Sequence, residues 1–177
     1  MYRIASICVL AAAMLAGCSS TTQAPAVAGN VRKALDQADI KNVSVSQDRN
    51  KGVVTLTGQV ASNADKSRAA QIAQSLSENQ VVANEVAIVP PGASGDTKTM
   101  YSDLDKGIDN NLSAALIAIG YKNGVDHKVK NGVVTLTGTV DDEAQRDRIQ
   151  SIAQAVPNTQ QVVNEIQTRH LRATTAN

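Results

Sequence analysis

A chain of 177 residues with 17 Lys+Arg against 16 Asp+Glu has a formal charge of only +1, which excludes capture of nucleic acid or an anionic surface by bulk electrostatics. It contains no Trp, no Phe and three Tyr, so neither a base-stacking platform nor an aromatic ligand cage can be built and any core must be aliphatic. At this length the chain accommodates one domain of average size or two small ones, each close to the lower limit of self-sufficient cores.

The first element is not part of the fold. Arg3 supplies a positive start, and Ile4 to Ala16 form an uncharged, mostly apolar run of 13 residues, too short to span a bilayer but suited to an export signal. The run ends in Leu15-Ala16-Gly17-Cys18, which resembles the bacterial lipobox, whose cysteine is diacylated and then freed by cleavage before it. The resemblance implies a signal peptide over residues 1–17 and a lipidated Cys18 at the head of a flexible tether, 18–26. Ser19 after the cysteine resembles the pattern sent on to the outer membrane, so the expected location is the outer membrane, lipid-anchored and facing the periplasm. Each buried methylene of an acyl chain contributes about 0.8 kcal/mol, so two or more chains anchor durably. Cys8 leaves with the signal and Cys18 is used by the lipid, so no disulfide forms within one mature chain. Loss of Arg3 brings the mature charge to zero.

The rest of the chain is written twice. The stretch GVVTLTG occupies 52–58 and returns at 132–138. A shift of 80 residues also aligns Val60 with Val140, Ile72-Ala73 with Ile152-Ala153, and Val82-x-Asn84-Glu85-Val86 with Val162-x-Asn164-Glu165-Ile166. Upstream of Gly52 the offset becomes 81, pairing Val31 with Leu112 and Leu35 with Leu116, a slip expected in a helix-to-strand loop. Pro90-Pro91-Gly92-Ala93-Ser94-Gly95-Asp96 reads as a turn-rich linker. The expected organisation is a first domain over 27–89, a Pro/Gly-rich linker over 90–101, a second domain over 102–169 and a tail over 170–177.

Each copy opens with an amphipathic helix, carried by Val27, Val31, Ala34, Leu35 and Ala38 in the first and by Leu104, Ile108, Leu112, Ala115, Leu116 and Ile119 in the second. A short strand follows (Val43 and Val45; Val125 and Val129), then Asn50-Lys51-Gly52 or Lys130-Asn131-Gly132 turns the chain into GVVTLTG as a hairpin. In that strand Val54, Leu56, Gly58 and Val60 share one face, where glycine is expected to let a helix approach closely. A second helix starts at the caps Ser62 and Asp142, and a third strand closes each copy over 81–88 and 162–168. The fold class is therefore α+β, two tandem α-β-β-α-β units, each with two helices on one face of a three-stranded sheet.

The order of elements, the G-V-L-G-V strand, the Ala/Ile helix and the closing V-V-x-N-E strand resemble the BON domain, named for bacterial osmotically induced and nodulation proteins. Two copies behind a lipobox resemble the dual-BON lipoproteins of the outer membrane, over about 27–89 and 102–169. The resemblance implies a non-enzymatic envelope protein that binds phospholipid and supports membrane integrity under stress.

The residues themselves offer no catalytic constellation. His127 and His170 have no repeated counterparts and read as solvated side chains; Asp141-Asp142-Glu143 reads as helix capping; no phosphate loop or nucleophile motif occurs. No enzyme activity, no cofactor other than the covalent lipid on Cys18, and no nucleic-acid partner are expected. Asn84-Glu85 and Asn164-Glu165 read as fold-bearing hydrogen-bonding pairs. On a helical wheel Ile117 and Tyr121 fall away from the apolar stripe, near Lys106 and Asn110. Met100, Tyr101, Lys106, Ile117 and Tyr121 are accordingly the expected membrane or partner contact, taking anionic phospholipid through the second domain. The alternative is an anchored adaptor that holds a periplasmic protein, with no lipid recognition by the domains.

Overall fold

The computed structural model describes residues 23–121 and 124–169. Cys18, the segment expected as an export signal and His170 lie outside the described residues. The elements run α1 (Ala28–Gln37), β1 (Val43–Asp48), β2 (Val53–Val60), α2 (Asn63–Leu76), β3 (Val81–Ile88), α3 (Ser94–Ala118), β4 (Val125–Lys130), β5 (Val133–Val140), α4 (Glu143–Ala155) and β6 (Gln161–Thr168). This is the α-β-β-α-β order twice. In each copy the hairpin is antiparallel and the third strand, returned by the crossover helix, lies parallel to the middle one, giving sheets β1-β2-β3 and β4-β5-β6.

Strand alternation sorts the two faces. Val43, Val45, Val54, Leu56, Val60, Val82 and Val86 meet Val31 and Leu35 of α1 and Ala69 and Ala73 of α2 in the first core. The second core repeats this with Val125, Val134, Leu136, Val140 and Ile166 against Ile108, Leu112, Leu116, Ile149 and Ala153. Small alanines on α2 and α4 bring those helices close to the sheet. The crossover helices are capped as their sequence demands: Ser62 Oγ accepts from Asp65 N at 3.1 Å and Asp142 Oδ1 from Gln145 N at 2.8 Å.

Three features depart from the sequence expectation. Gly58 and Gly138 do not make room for a helix. Both have φ of +125°, and a Cβ there would lie 2.1 Å from the carbonyl oxygen of Asn42 or Gly124, so the close neighbour is the backbone entering β1 or β4. The offset is distributed differently too. The loop before β4 is one residue longer than that before β1, whereas the hairpin Arg49–Gly52 is two longer than Asn131–Gly132. With both loop residues at positive φ, Asn131-Gly132 makes the tight two-residue turn suited to a right-twisted hairpin. Finally, α3 starts at Ser94, inside the stretch expected as linker. Its first turns are held by Thr97 Oγ1 donating to Ala93 O at 2.6 Å and by Tyr101, whose hydroxyl accepts from Ile88 N at 3.2 Å.

Candidate functional site at the domain junction

The sheet faces turned away from the helices are not both left to solvent. Val53 and Ala83 of the first sheet and Val133 and Val163 of the second form a separate buried cluster, related by the same 80-residue shift. Around it the contacts are reciprocal. Lys51 Nζ donates to Glu165 Oε2 at 2.5 Å, and Lys130 Nζ lies 3.4 Å from Glu85 Oε2; both carboxylate side chains are 11% exposed. The Lys51 hydrogen bond to Glu165, aided by the charges of Glu165 and Asp48, outweighs desolvation and raises the lysine above its ordinary pKa. The glutamates of the repeated Asn-Glu pair thus join the domains, while the asparagines serve their own: Asn84 Nδ2 donates to Lys66 O and Asn164 Nδ2 to Gln150 Oε1.

Gln161 completes the junction. Its amide oxygen accepts from Asn84 N at 3.0 Å and its amide nitrogen donates to Val82 O at 2.5 Å, so one side chain occupies the edge of β3 as a neighbouring strand would. Asn84 Oδ1 accepts from Val86 N, and the Tyr101 hydroxyl from Ile88 N, which gives two more N–H groups of that edge a partner.

Beside this seam, α3 and the β4–β5 turn enclose a cleft of about 630 Å³ against the outer side of the first sheet. Ala87, Val89 and Val129 give it an apolar floor, and Lys98, Lys106 and Lys130 stand on its walls with Asp105 and Asp109. Asp105 is committed to structure: its two carboxylate oxygens accept from Asn131 N at 2.8 Å and Gly132 N at 2.9 Å, fixing the turn.

The five expected contact residues do not form one surface. Tyr101 and Lys106 line the large cleft, and Met100, 59% exposed, precedes them on α3. Ile117, 55% exposed, stands 17 residues beyond Met100, about 25 Å along a helix, and lines a second, smaller cleft with Tyr121, Asp109 and His127. Tyr121 is not on the solvent side of a continuing helix. Gly120, at φ +83°, ends α3, Tyr121 N donates back to Leu116 O at 3.0 Å, and the ring packs against the second core. It is the counterpart of Ile40, which follows Asp39 and bonds to Leu35 O in the same way at 2.9 Å. His127 is also not solvated. It takes the place of Val45, facing the helices, with Nε2 at 3.1 Å from Asp109 Oδ1 and 3.4 Å from Ser113 Oγ. Asp142 caps α4, Asp141 pairs with Arg169 at 3.2 Å, and Glu143 with Arg146 at 3.1 Å.

The residues that sequence reasoning missed are Gln161, Lys66, Lys98 and Lys130. For Gln161 a signal existed, because the 80-residue shift sets it opposite Val81, a polar-for-apolar mismatch inside an otherwise matched strand.

These observations define a tandem of two α-β-β-α-β modules joined back to back through their sheets, with the lysine-walled cleft beside that junction. A family model for the BON domain matches residues 24–90 and 105–170, and the chain belongs to the BON-domain family. It is 32% identical over 153 residues to Osmotically-inducible protein Y of Escherichia coli (strain K12), covering 81% of this chain and 72% of that protein. Two structures of CdsD, a structural protein of the type III secretion system of Chlamydia trachomatis, are 16% identical, with TM-scores of 0.35 and 0.37. They match 80% of this chain and 96% and 91% of theirs, a likeness too distant to bear on function.

Proposed function

We propose that the chain is a periplasm-facing lipoprotein of the outer membrane, anchored through Cys18, whose paired BON domains bind phospholipid and help maintain membrane integrity under osmotic or envelope stress. The observation that carries this reading is the junction cleft, where an apolar floor is walled by Lys98, Lys106 and Lys130 and flanked by the exposed Met100. Such a pairing of cations with apolar surface suits a headgroup and its glycerol end. The name of the Escherichia coli relative, which refers to osmotic induction, supports the stress setting. The expected tether over 18–26 is shorter than its sequence suggests, because Ala24 and Pro25 are already bonded to Arg49 and Gln47; about six residues from Cys18 to Ala24 span at most about 20 Å, so the anchor holds the domains at the bilayer and weak headgroup affinity suffices.

Co-sedimentation of residues 19–177 with anionic and zwitterionic vesicles tests this reading. Preference for anionic vesicles, lost when Lys98, Lys106 and Lys130 are changed together to Gln, is expected. Binding to neither vesicle type would transfer the function to an anchored adaptor for a periplasmic protein, a reading favoured by the exposed Ile117 beside the second cleft.

A further inference from the structure

On the far side of the seam from the lysine-walled cleft, the structure buries a cation without a carboxylate. Lys66, in the first turn of α2, is only 8% exposed, and its ammonium reaches across to Gln160 Oε1 of the second domain at 2.9 Å. Among the described residues it takes part in no ion pair. The duplicate copy supplies an internal comparison. The residue 80 positions on is Arg146, also in a first helical turn, and there Glu143 one turn earlier provides a carboxylate at 3.1 Å. The residue corresponding to Glu143 in the first copy is Asn63. A positive charge near a helix N-terminus is disfavoured by the helix dipole, and a buried one costs more still when unpaired. Burial accordingly lowers the Lys66 pKa.

The ammonium does not abut a filled core. It lines a cleft of about 350 Å³ whose other walls include Gln74, Val82, Asn84, Val133 and Gln160. Lysine has three donors, of which one is engaged by Gln160. The Asn84 amide nitrogen is committed to Lys66 O at 3.1 Å and that of Gln161 to Val82 O at 2.5 Å. Two ammonium N–H groups and the amide nitrogens of Gln74 and Gln160 therefore remain as donors in a site with one positive charge and no negative one.

We infer that this interdomain cleft binds a singly charged oxyanion, a carboxylate or a phosphodiester, with one oxygen on the Lys66 ammonium and the other on the glutamine amides. The charge matches one monoanion, and the donors match two oxygens held in a fork. Because Lys66 belongs to the first domain and Gln160 to the second, the occupied site fastens the two domains to each other. The site is separate from the lysine-walled cleft and stands or falls independently of vesicle binding.

The test is thermal unfolding of the mature chain carrying Cys18→Ser, followed by circular dichroism in sodium acetate or sodium dimethyl phosphate against sodium chloride at equal ionic strength. At about ten times the dissociation constant the midpoint is expected to rise by about 3–6 °C. Lys66→Met should remove that rise while leaving the midpoint in chloride no lower than that of the parent, because it deletes an unpaired buried charge. Lys66→Gln should behave likewise if the methionine variant folds poorly, and Arg146→Met should keep the response. A response to acetate alone identifies a carboxylate, a response to dimethyl phosphate alone a phosphodiester such as that of a lipid headgroup, and a response to both the shared chemistry. No response in the parent, or an equal one in the Lys66 variants, overturns the assignment.

Discussion

One methyl group placed at Gly58, and in parallel at Gly138, probes the fold where its two repeats are tightest. Both residues sit at φ +125°, a region that alanine enters at a cost of about 1–3 kcal/mol. The new Cβ would lie 2.1 Å from Asn42 O in the first copy and 2.1 Å from Gly124 O in the second, with Cα atoms of Val43 and Val125 at 3.2 and 3.0 Å. No flexible side chain can yield there, since every one of these atoms is backbone, so the entry to β1 or β4 must shift. That shift weakens the bonds from Gln59 N to Asn42 O (3.2 Å) and from Thr139 N to Gly124 O (2.9 Å), worth about 1 kcal/mol each, and adds overpacking of about 1–3 kcal/mol. Each alanine is thus expected to remove about 3–7 kcal/mol, a large part of the roughly 5–15 kcal/mol available to a domain of this kind. With a denaturant slope of about 2 kcal/mol/M the urea midpoint should fall by about 1.5–3.5 M. Far-ultraviolet circular dichroism is the suitable signal, because the chain has no Trp. A fall of less than about 0.5 M in either variant would refute the steric account, since a backbone clash of this depth cannot relax so cheaply.

The junction and the entry to α1 give two further expectations. Lys51 has its pKa raised by the hydrogen bond to Glu165, so its contribution to stability is fully present below the ordinary lysine value of 10.5 and is lost as pH rises through the higher folded value. The stability difference between parent and Lys51→Met, from urea midpoints, should therefore be constant up to about pH 10 and shrink above it, the Lys66 titration cancelling because both proteins share it; a difference unchanged at about pH 11.5 would remove Lys51 from the junction. Gln47→Leu is expected to cost about 2 kcal/mol in the same assay, because Gln47 Oε1 accepts from Val27 N (3.0 Å) and Ala28 N (3.3 Å) at the start of an α1 that has no cap of its own, whereas Gln47→Glu should restore part of the loss.

The elements were readable in the sequence wherever a one-dimensional period governs them. Val54, Leu56, Gly58 and Val60 alternate as a strand with one buried face must, Ile149, Ile152 and Ala153 repeat as a helix must, and the duplication doubled every signal. What remained hidden depends on contacts between distant residues. The early start of α3 contradicts its Gly and Pro neighbours because Tyr101 gains a partner on β3, a bond no local propensity encodes. Tyr121 was misplaced because a wheel carries the helix past Gly120, where the left-handed residue swings the next side chain back to the core. His127 was misread because the loop before β4 is one residue longer than that before β1, so the helix offset of 81, which would set it opposite the exposed Ser46, becomes 82 and sets it in register with the buried Val45. The cap from Gln47 to α1 spans about 20 residues and has no sequence signature at all.

The differences between the copies gather at the seam, and that placement has a physical logic. Two identical modules joined by a two-fold relation would make every junction contact twice, as in an isologous dimer. The hydrophobic quartet of Val53, Ala83, Val133 and Val163 still obeys that relation, as do Glu85 and Glu165, although their lysine partners come from different positions, Lys51 in the first hairpin loop and Lys130 at the end of β4. Gln161 does not. Its counterpart Val81, 45% exposed, has no amide to offer, so the edge of β3 is covered by a side chain of the second domain while β6 receives no such cover from the first. Nor does Lys66, whose counterpart Arg146 carries its own carboxylate. Fusion in one chain is what permits this: each half changes without imposing the same change on the other, and a symmetric interface acquires two distinct sides. The strand GVVTLTG persists unaltered because it serves both sides at once, with Val54 and Leu56 in the core on one face and Val53 in the seam on the other, so that a change there disturbs two packed surfaces.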